Sequence, residues 1–252
     1  MRVEQSRINT WLNDNCLTLN VSKTQFVVFR RKQKRVEDQR VLIKMNNVVV
    51  GRESCVKFLG VQVDENLLWS MHIDCVVKKI SKFVPIIHRI RSRMDMRTLK
   101  LMYNSIIYPN LVYCNSVWGG TCKSRLDILL KCQKRIVRTI SYCGARDSCA
   151  PLFKSLNFLP LNQINVYINV LYVFKSLLSA DGNFNLYESN AYVTRLSNTR
   201  SVIIPNILSS HSRQSSRWIG GQQWNGLPQA LRDVTQYDNF KLSLKRHLLA
   251  DL

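Results

Sequence analysis

No two aspartates are adjacent anywhere in this 252-residue chain. That removes the paired-carboxylate box with which many polymerases hold two metal ions. Acidic residues are scarce altogether: 16 Asp and Glu face 37 Lys and Arg, for a formal net charge of +21. Such an excess points to a polyanionic partner. There is no run of about 18 apolar residues, so no membrane span is expected. Met1 to Ser6 leads into an amphipathic segment without the apolar core of a signal peptide. The eight cysteines form no C-x-x-C pair, which argues against a zinc site. With no secretory signal, reduced thiols inside a cell are expected. The motifs H-E-x-x-H, G-x-S-x-G and G-x-x-x-x-G-K-[ST] are missing too, so the common zinc-protease, hydrolase and P-loop sites are excluded.

What is present is enough for folded cores: 46% of the residues are hydrophobic and 21% charged. The charge is uneven. Residues 30–138 hold 23 basic and 8 acidic side chains, whereas residues 1–29 hold 3 and 2, and residues 139–252 hold 11 and 6. Concentration of the excess in the middle of the chain suggests a phosphate-binding face.

Hydrophobic periodicity divides the chain. Residues 3–16 read as a helix with Val3, Ile8, Trp11 and Leu12 on one side. Strands are expected at residues 25–29, 41–45, 48–50 and 56–63. Asn46-Asn47 suits a hairpin turn, and Gly60 marks a bulge or a close backbone approach within the last strand. The intervening basic stretch, residues 30–40, reads as an exposed loop. From residue 70 helical spacing takes over: Ile73, Val76, Val77, Ile80, Val84 and Ile87 form one long stripe that Pro85 should interrupt. Further helices are expected around Leu99 to Ile106, Leu126 to Ile140, Leu161 to Leu178 and Phe240 to Leu248. Short strands are expected at residues 201–205 and 217–224. The fold class is therefore α+β: a helix with one small antiparallel sheet, then a mostly helical region and a small mixed C-terminal segment, with boundaries after residues 69 and 180. Trp69, Trp118, Trp218 and Trp224 are expected in the core rather than as stacking platforms.

The sharpest chemical feature is a row of cations. Lys131, Lys134, Arg135 and Arg138 share one face of the third helix of the helical region, and only Asp127 offsets them locally. Such a row follows a phosphate backbone; a solvated helix face is the plainer alternative. Arg89, Arg91, Arg93 and Arg97 suit either phosphate contact or the negative end of their helix. Asp64 and Glu65 are adjacent, but strand neighbours point to opposite faces, so a turn role is expected before a shared metal.

Several blocks together carry a resemblance. Trp11-Leu12-x-x-Asn15-x-Leu17-x-Leu19-Asn20-x-x-Lys23-Thr24-x-Phe26-x-x-Phe29 resembles the segment that follows the catalytic Y-x-D-D box in reverse transcriptases of non-LTR retrotransposons, the jockey-like group above all. Val56-Lys57-Phe58-Leu59-Gly60-Val61, with Asp64, Leu68-Trp69 and His72-Ile73, is similar to the next block. Tyr103 to Pro109, Val117-Trp118-Gly119 and Gln133-Lys134-Arg135-Ile136-Val137-Arg138 continue it. Trp224-Asn225-x-Leu227-Pro228 and Phe240-Lys241 resemble the extreme C-terminus of these polyproteins.

The resemblance implies RNA-directed DNA synthesis as the family activity, with two Mg2+ ions held by aspartates of upstream palm motifs. It places this chain after those motifs, so neither a metal site nor a cofactor is expected within it and the chain alone is expected to be inactive. It implies a palm remnant with a primer-grip hairpin over residues 1–69, a helical thumb over 70–180 and a small C-terminal region over 181–252. Lys23 would lie near the incoming triphosphate, and Phe58, Leu59 and Gly60 would form the primer grip. Lys131, Lys134, Arg135, Arg138, Arg89, Arg91 and Arg93 would hold the duplex by its phosphates. The implied partners are RNA and DNA as a template–primer duplex, with the missing upstream polymerase region, in the nucleus and cytoplasm. Three readings stay open: a truncated polymerase, a co-opted, non-enzymatic nucleic-acid-binding protein, or a fragment that does not fold stably.

Overall fold

The computed structural model describes residues 2–30, 43–45, 48–179, 183–186, 200–207, 209 and 212–252. The chain divides into two units, residues 1–72 and 73–252. The basic stretch 31–40 and the Asn46-Asn47 turn fall outside the described residues, as does most of the polar segment around residue 180.

The first unit opens with helix α1, Arg2–Asp14. Its end is set by Cys16 in the left-handed region (φ 54°), with Leu17 N–H returning to Leu12 O at 2.8 Å. That is the Schellman closure of a helix, made here without glycine. A short 3-10 turn, Val21–Lys23, follows under Asn20, whose side chain accepts from Lys23 N–H at 3.2 Å.

The strands are small ladders rather than the single antiparallel sheet expected. β1 (Gln25–Phe26) pairs in parallel with β4 (Gly51–Arg52). β2 (Lys44–Met45) and β3 (Val48–Val49) pair antiparallel on either side of Asn46-Asn47. The segment expected as one strand at 56–63 is a hairpin: β5 (Cys55–Phe58) turns at Leu59-Gly60 into β6 (Val61–Asp64). Leu59 at φ 45° and Gly60 at φ 88° are both left-handed, which makes a two-residue turn of the I′ type. The glycine is thus a turn residue and not a bulge.

The second unit is helical. The long stripe splits near Pro85: α2 (Ser70–Ser81) and α3 (Phe83–Ile90) meet at Lys82, which places Pro85 three residues on, in the first turn of α3, where its missing N–H costs no helical hydrogen bond. α4 (Met96–Met102) is capped by Asp95, which accepts from Thr98 N–H at 3.0 Å. A π-helical turn, Tyr103–Ile107, carries it into α5 (Tyr108–Val112), so Pro109 sits near a helix start instead of ending one. α6 (Asn115–Trp118), α7 (Lys123–Ile140), α8 (Ala150–Leu156) and α9 (Leu161–Ser179) follow. α8 starts at Ala150 with Pro151 in its first turn, a position that suits a residue without an N–H.

Residues 217–224 are not a strand. They belong to α10 (Ser216–Asn225), because Ser215 caps the helix at Trp218 N–H and the buried positions 220, 221 and 224 recur at helical spacing. α11 (Gln229–Arg232) and α12 (Tyr237–Ala250) complete the chain. α9 is the central helix. It is apolar nearly all round and packs against α5, α6, α7, α10 and α12. Phe174 of α9 stacks on Phe240 of α12 at 4.3 Å, and Trp224 of α10 lies 5.6 Å from Phe240. The C-terminal segment therefore shares the core of α9. The architecture is α+β, helix-rich with small sheets. No helix among the described residues is long and apolar enough to cross a membrane.

Candidate nucleic-acid interface

α7 folds as a helix because Leu129, Ile136, Val137 and Ile140 bury a face against α3 and α9. Gln133, the polar residue on that face, is fully buried and fully used. Its Nε2 donates to Tyr103 Oη (2.8 Å) and Leu159 O (2.9 Å), and its Oε1 accepts from Leu161 N–H (2.8 Å). The register of α7 is thereby pinned, and its other face is fixed with it. Lys131 and Arg135 are exposed there, with Lys134 and Arg138 half-buried beside them. The four fall within an arc of roughly 100°. Among the described residues no carboxylate pairs with any of them. Arg138 is tethered through its Nε to Asp147 O at 2.9 Å.

α3 packs against α7 and leaves a mostly polar groove of about 460 Å³ between them. Arg89 of α3 and Arg135 of α7 both line it, with Ser81, His88 and Thr139. Two of the expected cations, forty-six positions apart in sequence, are thus brought onto one depression. Thr139 was not expected, although it lies one helical turn beyond Arg135. Arg91 is placed differently: its Nη1 donates to Thr139 O (2.9 Å) and its guanidinium lies 4.5 Å over the Tyr142 ring. It joins the end of α3 to the end of α7. Arg93 is exposed in the turn after α3.

In the first unit, the β5–β6 tip presents apolar side chains to water: Phe58 is 64% exposed and Leu59 75%. Lys23 is exposed at the end of its 3-10 turn, its backbone held by Asn20. Asp64 and Glu65 take structural roles. Asp64 accepts from the N–H groups of Asn66 (3.1 Å), Leu68 (3.0 Å) and Trp69 (2.8 Å), fixing a loop in which Leu67 and Trp69 have positive φ. Glu65 receives Arg30 at 2.6 Å and Arg52 at 3.5 Å. The hydrogen bond from Arg30 leads in holding its carboxyl below the usual range. Among the described residues no three His, Cys, Asp or Glu side chains converge as a metal site. Trp69, Trp118 and Trp224 are buried as expected, while Trp218 is half-buried. All eight cysteines are free thiols.

No protein-family model matches this chain, and no solved structure does. Two curated proteins of Drosophila melanogaster do. The chain is 25% identical to the "Probable RNA-directed DNA polymerase from transposon X-element" over 141 residues, which is 54% of this chain and 15% of that protein. It is 24% identical to the "Probable RNA-directed DNA polymerase from transposon BS" over 119 residues, 46% of this chain and 13% of that protein. The chain therefore spans a small part of the length of these relatives. About half of it is similar to a part of these two transposon polymerases.

Proposed function

We propose that this chain is part of the RNA-directed DNA polymerase of a non-LTR, jockey-like retrotransposon, and that its work is to hold a primed RNA–DNA duplex rather than to join nucleotides. In this reading the first unit is the end of the palm and the helices after it are the thumb. The observation that carries the reading is the α3–α7 groove. Arg89 and Arg135 line it together, and Arg135 also belongs to the row formed with Lys131, Lys134 and Arg138. Guanidinium and ammonium groups in such a row contact phosphates, release counterions and read no sequence. The Phe58-Leu59 tip is the proposed primer contact, and Lys23 the proposed neighbour of the incoming triphosphate.

The family's Mg2+ does not fit the carboxylates described here. Asp64 has three amides on its oxygens and Glu65 two arginines. The groups that hold the metal are assigned to polypeptide outside these residues, and no chemical step is assigned to this chain.

The test is fluorescence anisotropy with a labelled RNA–DNA duplex over a range of salt. The double variant Arg89→Ala/Arg135→Ala is expected to flatten the plot of log K against log salt by about 1–2 in slope. Arg217→Ala, which removes an exposed charge from α10, should leave the slope within error. Equal effects from both variants, or none from the double variant, would overturn the assignment of the groove.

A further inference from the structure

A second concavity, formed by other helices than the α3–α7 groove, has a different chemistry. It is a cavity of about 630 Å³ walled by α5, α9 and α12. That volume falls inside the range of small-molecule sites, about 300–1,000 Å³. Tyr108 contributes from α5, Tyr167 and Lys175 from α9, and Tyr237, Lys241 and Lys245 from α12. The α12 trio recurs every fourth residue, so one helix face supplies a ring and two ammonium groups in line. Lys175 and Tyr167 stand on one face of α9, eight positions apart. Phe158, stacked on Tyr103 at 3.9 Å, adds a further aromatic surface to the lining.

Lys175 Nζ lies 5.0 Å over the Tyr237 ring, a cation–π contact within the cavity wall. Among the described residues no carboxylate pairs with Lys175, Lys241 or Lys245. Tyr167 is only 7% exposed as a residue, and its hydroxyl makes no hydrogen bond among the described residues. The aromatic walls ask for a flat ring and the lysines for an anion. We propose that this cavity binds one nucleotide, its base against the tyrosine walls and its phosphate at Lys175, Lys241 and Lys245. The same base-plus-phosphate unit is offered by a free nucleotide and by one residue of a single strand. Half-burial of Lys245 favours this occupant further, because the desolvation that lowers its pKa is relieved by an adjacent anion.

The proposal is independent of the duplex reading, and its test uses the full chain in isothermal titration calorimetry. Adenosine 5′-monophosphate is expected to bind at least about tenfold more tightly than adenosine or inorganic phosphate, since only it engages both walls and rim. Lys245→Gln and Lys241→Gln should each weaken the nucleotide by about tenfold while sparing adenosine. Tyr167→Phe should weaken nucleotide and nucleoside alike. Lys241 is exposed, so its variant tests the site even where the Tyr167 variant fails to fold. Arg89→Ala/Arg135→Ala should leave nucleotide affinity unchanged. A five-residue oligoadenylate that displaces the mononucleotide would identify a strand as the source; one that does not would identify free nucleotide. Phosphate binding as tightly as the mononucleotide, no nucleotide binding at millimolar concentration, or Lys241→Gln and Lys245→Gln proteins that bind like the parent would each overturn the proposal.

Discussion

At the scale of single residues, the adjacent acids Asp64 and Glu65 show how a suggestive pair is decided by its neighbours. Period-two geometry separates them, and each then finds basic or amide partners on its own side. Glu65 lies between Arg30 and Arg52, and Arg30 N–H also donates to Glu65 O at 2.9 Å. Its folded pKa is depressed, with the Arg30 hydrogen bond as the first cause. A carboxylate of that kind adds stability above its unfolded pKa, near 4.3, and loses it as pH falls through the depressed folded value. Glu65→Gln is therefore expected to lower the melting midpoint at pH 7, followed by circular dichroism. The gap between variant and parent should narrow steadily below about pH 4. A gap that stays constant down to pH 2 would show that the carboxylate charge contributes nothing. Gly119, in the block Val117-Trp118-Gly119, has an equally local reason. A methyl there would fall 2.6 Å from Asn115 Oδ1, inside the buried amide chain of Asn115, Asn165 and Asn169.

At the scale of elements, the β5–β6 hairpin carries an apparent contradiction. A two-residue I′ turn favours Asn-Gly, because both central residues take positive φ. Here the first is Leu59, at φ 45° and 75% exposed. A large aliphatic side chain in that backbone region costs about 1 kcal/mol and gains no burial. An unfavourable residue at an exposed tip is what a binding role would retain. Leu59→Asn should thus stabilise the hairpin by about 0.5–1 kcal/mol in denaturant unfolding and weaken duplex binding at the same time. Improved stability with unchanged binding would remove the tip from the interface.

The same element marks where sequence reading stops. The β-rich run from Val56 to Val63 read as one strand, since nothing in alternation alone shows the chain reversing at Leu59-Gly60. Residues 217–224 misled in the opposite direction: Trp218, Ile219 and Trp224 favour strands, but the Ser215 cap and packing on α9 override them. α7, α9 and α12 were legible because their apolar positions repeat over three turns or more. The cation row of α7 was legible for the same reason. The groove was not, since joining Arg89 to Arg135 depends on how α3 packs against α7.

At the scale of the whole chain, the two units differ in how much core they own. Among the described residues 1–72, the buried hydrophobic side chains are Val50, Val61 and Trp69. The rest of the core among the described residues lies in 73–252, from Ile73 to Leu248, with α9 at its centre. Stability follows buried apolar area, so opening free energies should be unequal along the chain. Native-state hydrogen exchange tests this directly. Amides of Ile164, Val170, Val173 and Phe174 in α9 are expected to exchange only through global unfolding of the second unit. Amides of the two-residue ladders β1–β4 and β2–β3 should exchange faster by several orders of magnitude, since few apolar contacts oppose their opening. Adding RNA–DNA duplex separates the two parts of the proposal. If the β5–β6 tip contacts the primer, amides of Val56 to Val63 should gain protection on duplex binding along with α3 and α7. If only the helical groove binds, the gain should stop at α3 and α7, and equal protection everywhere without duplex would refute the inequality itself.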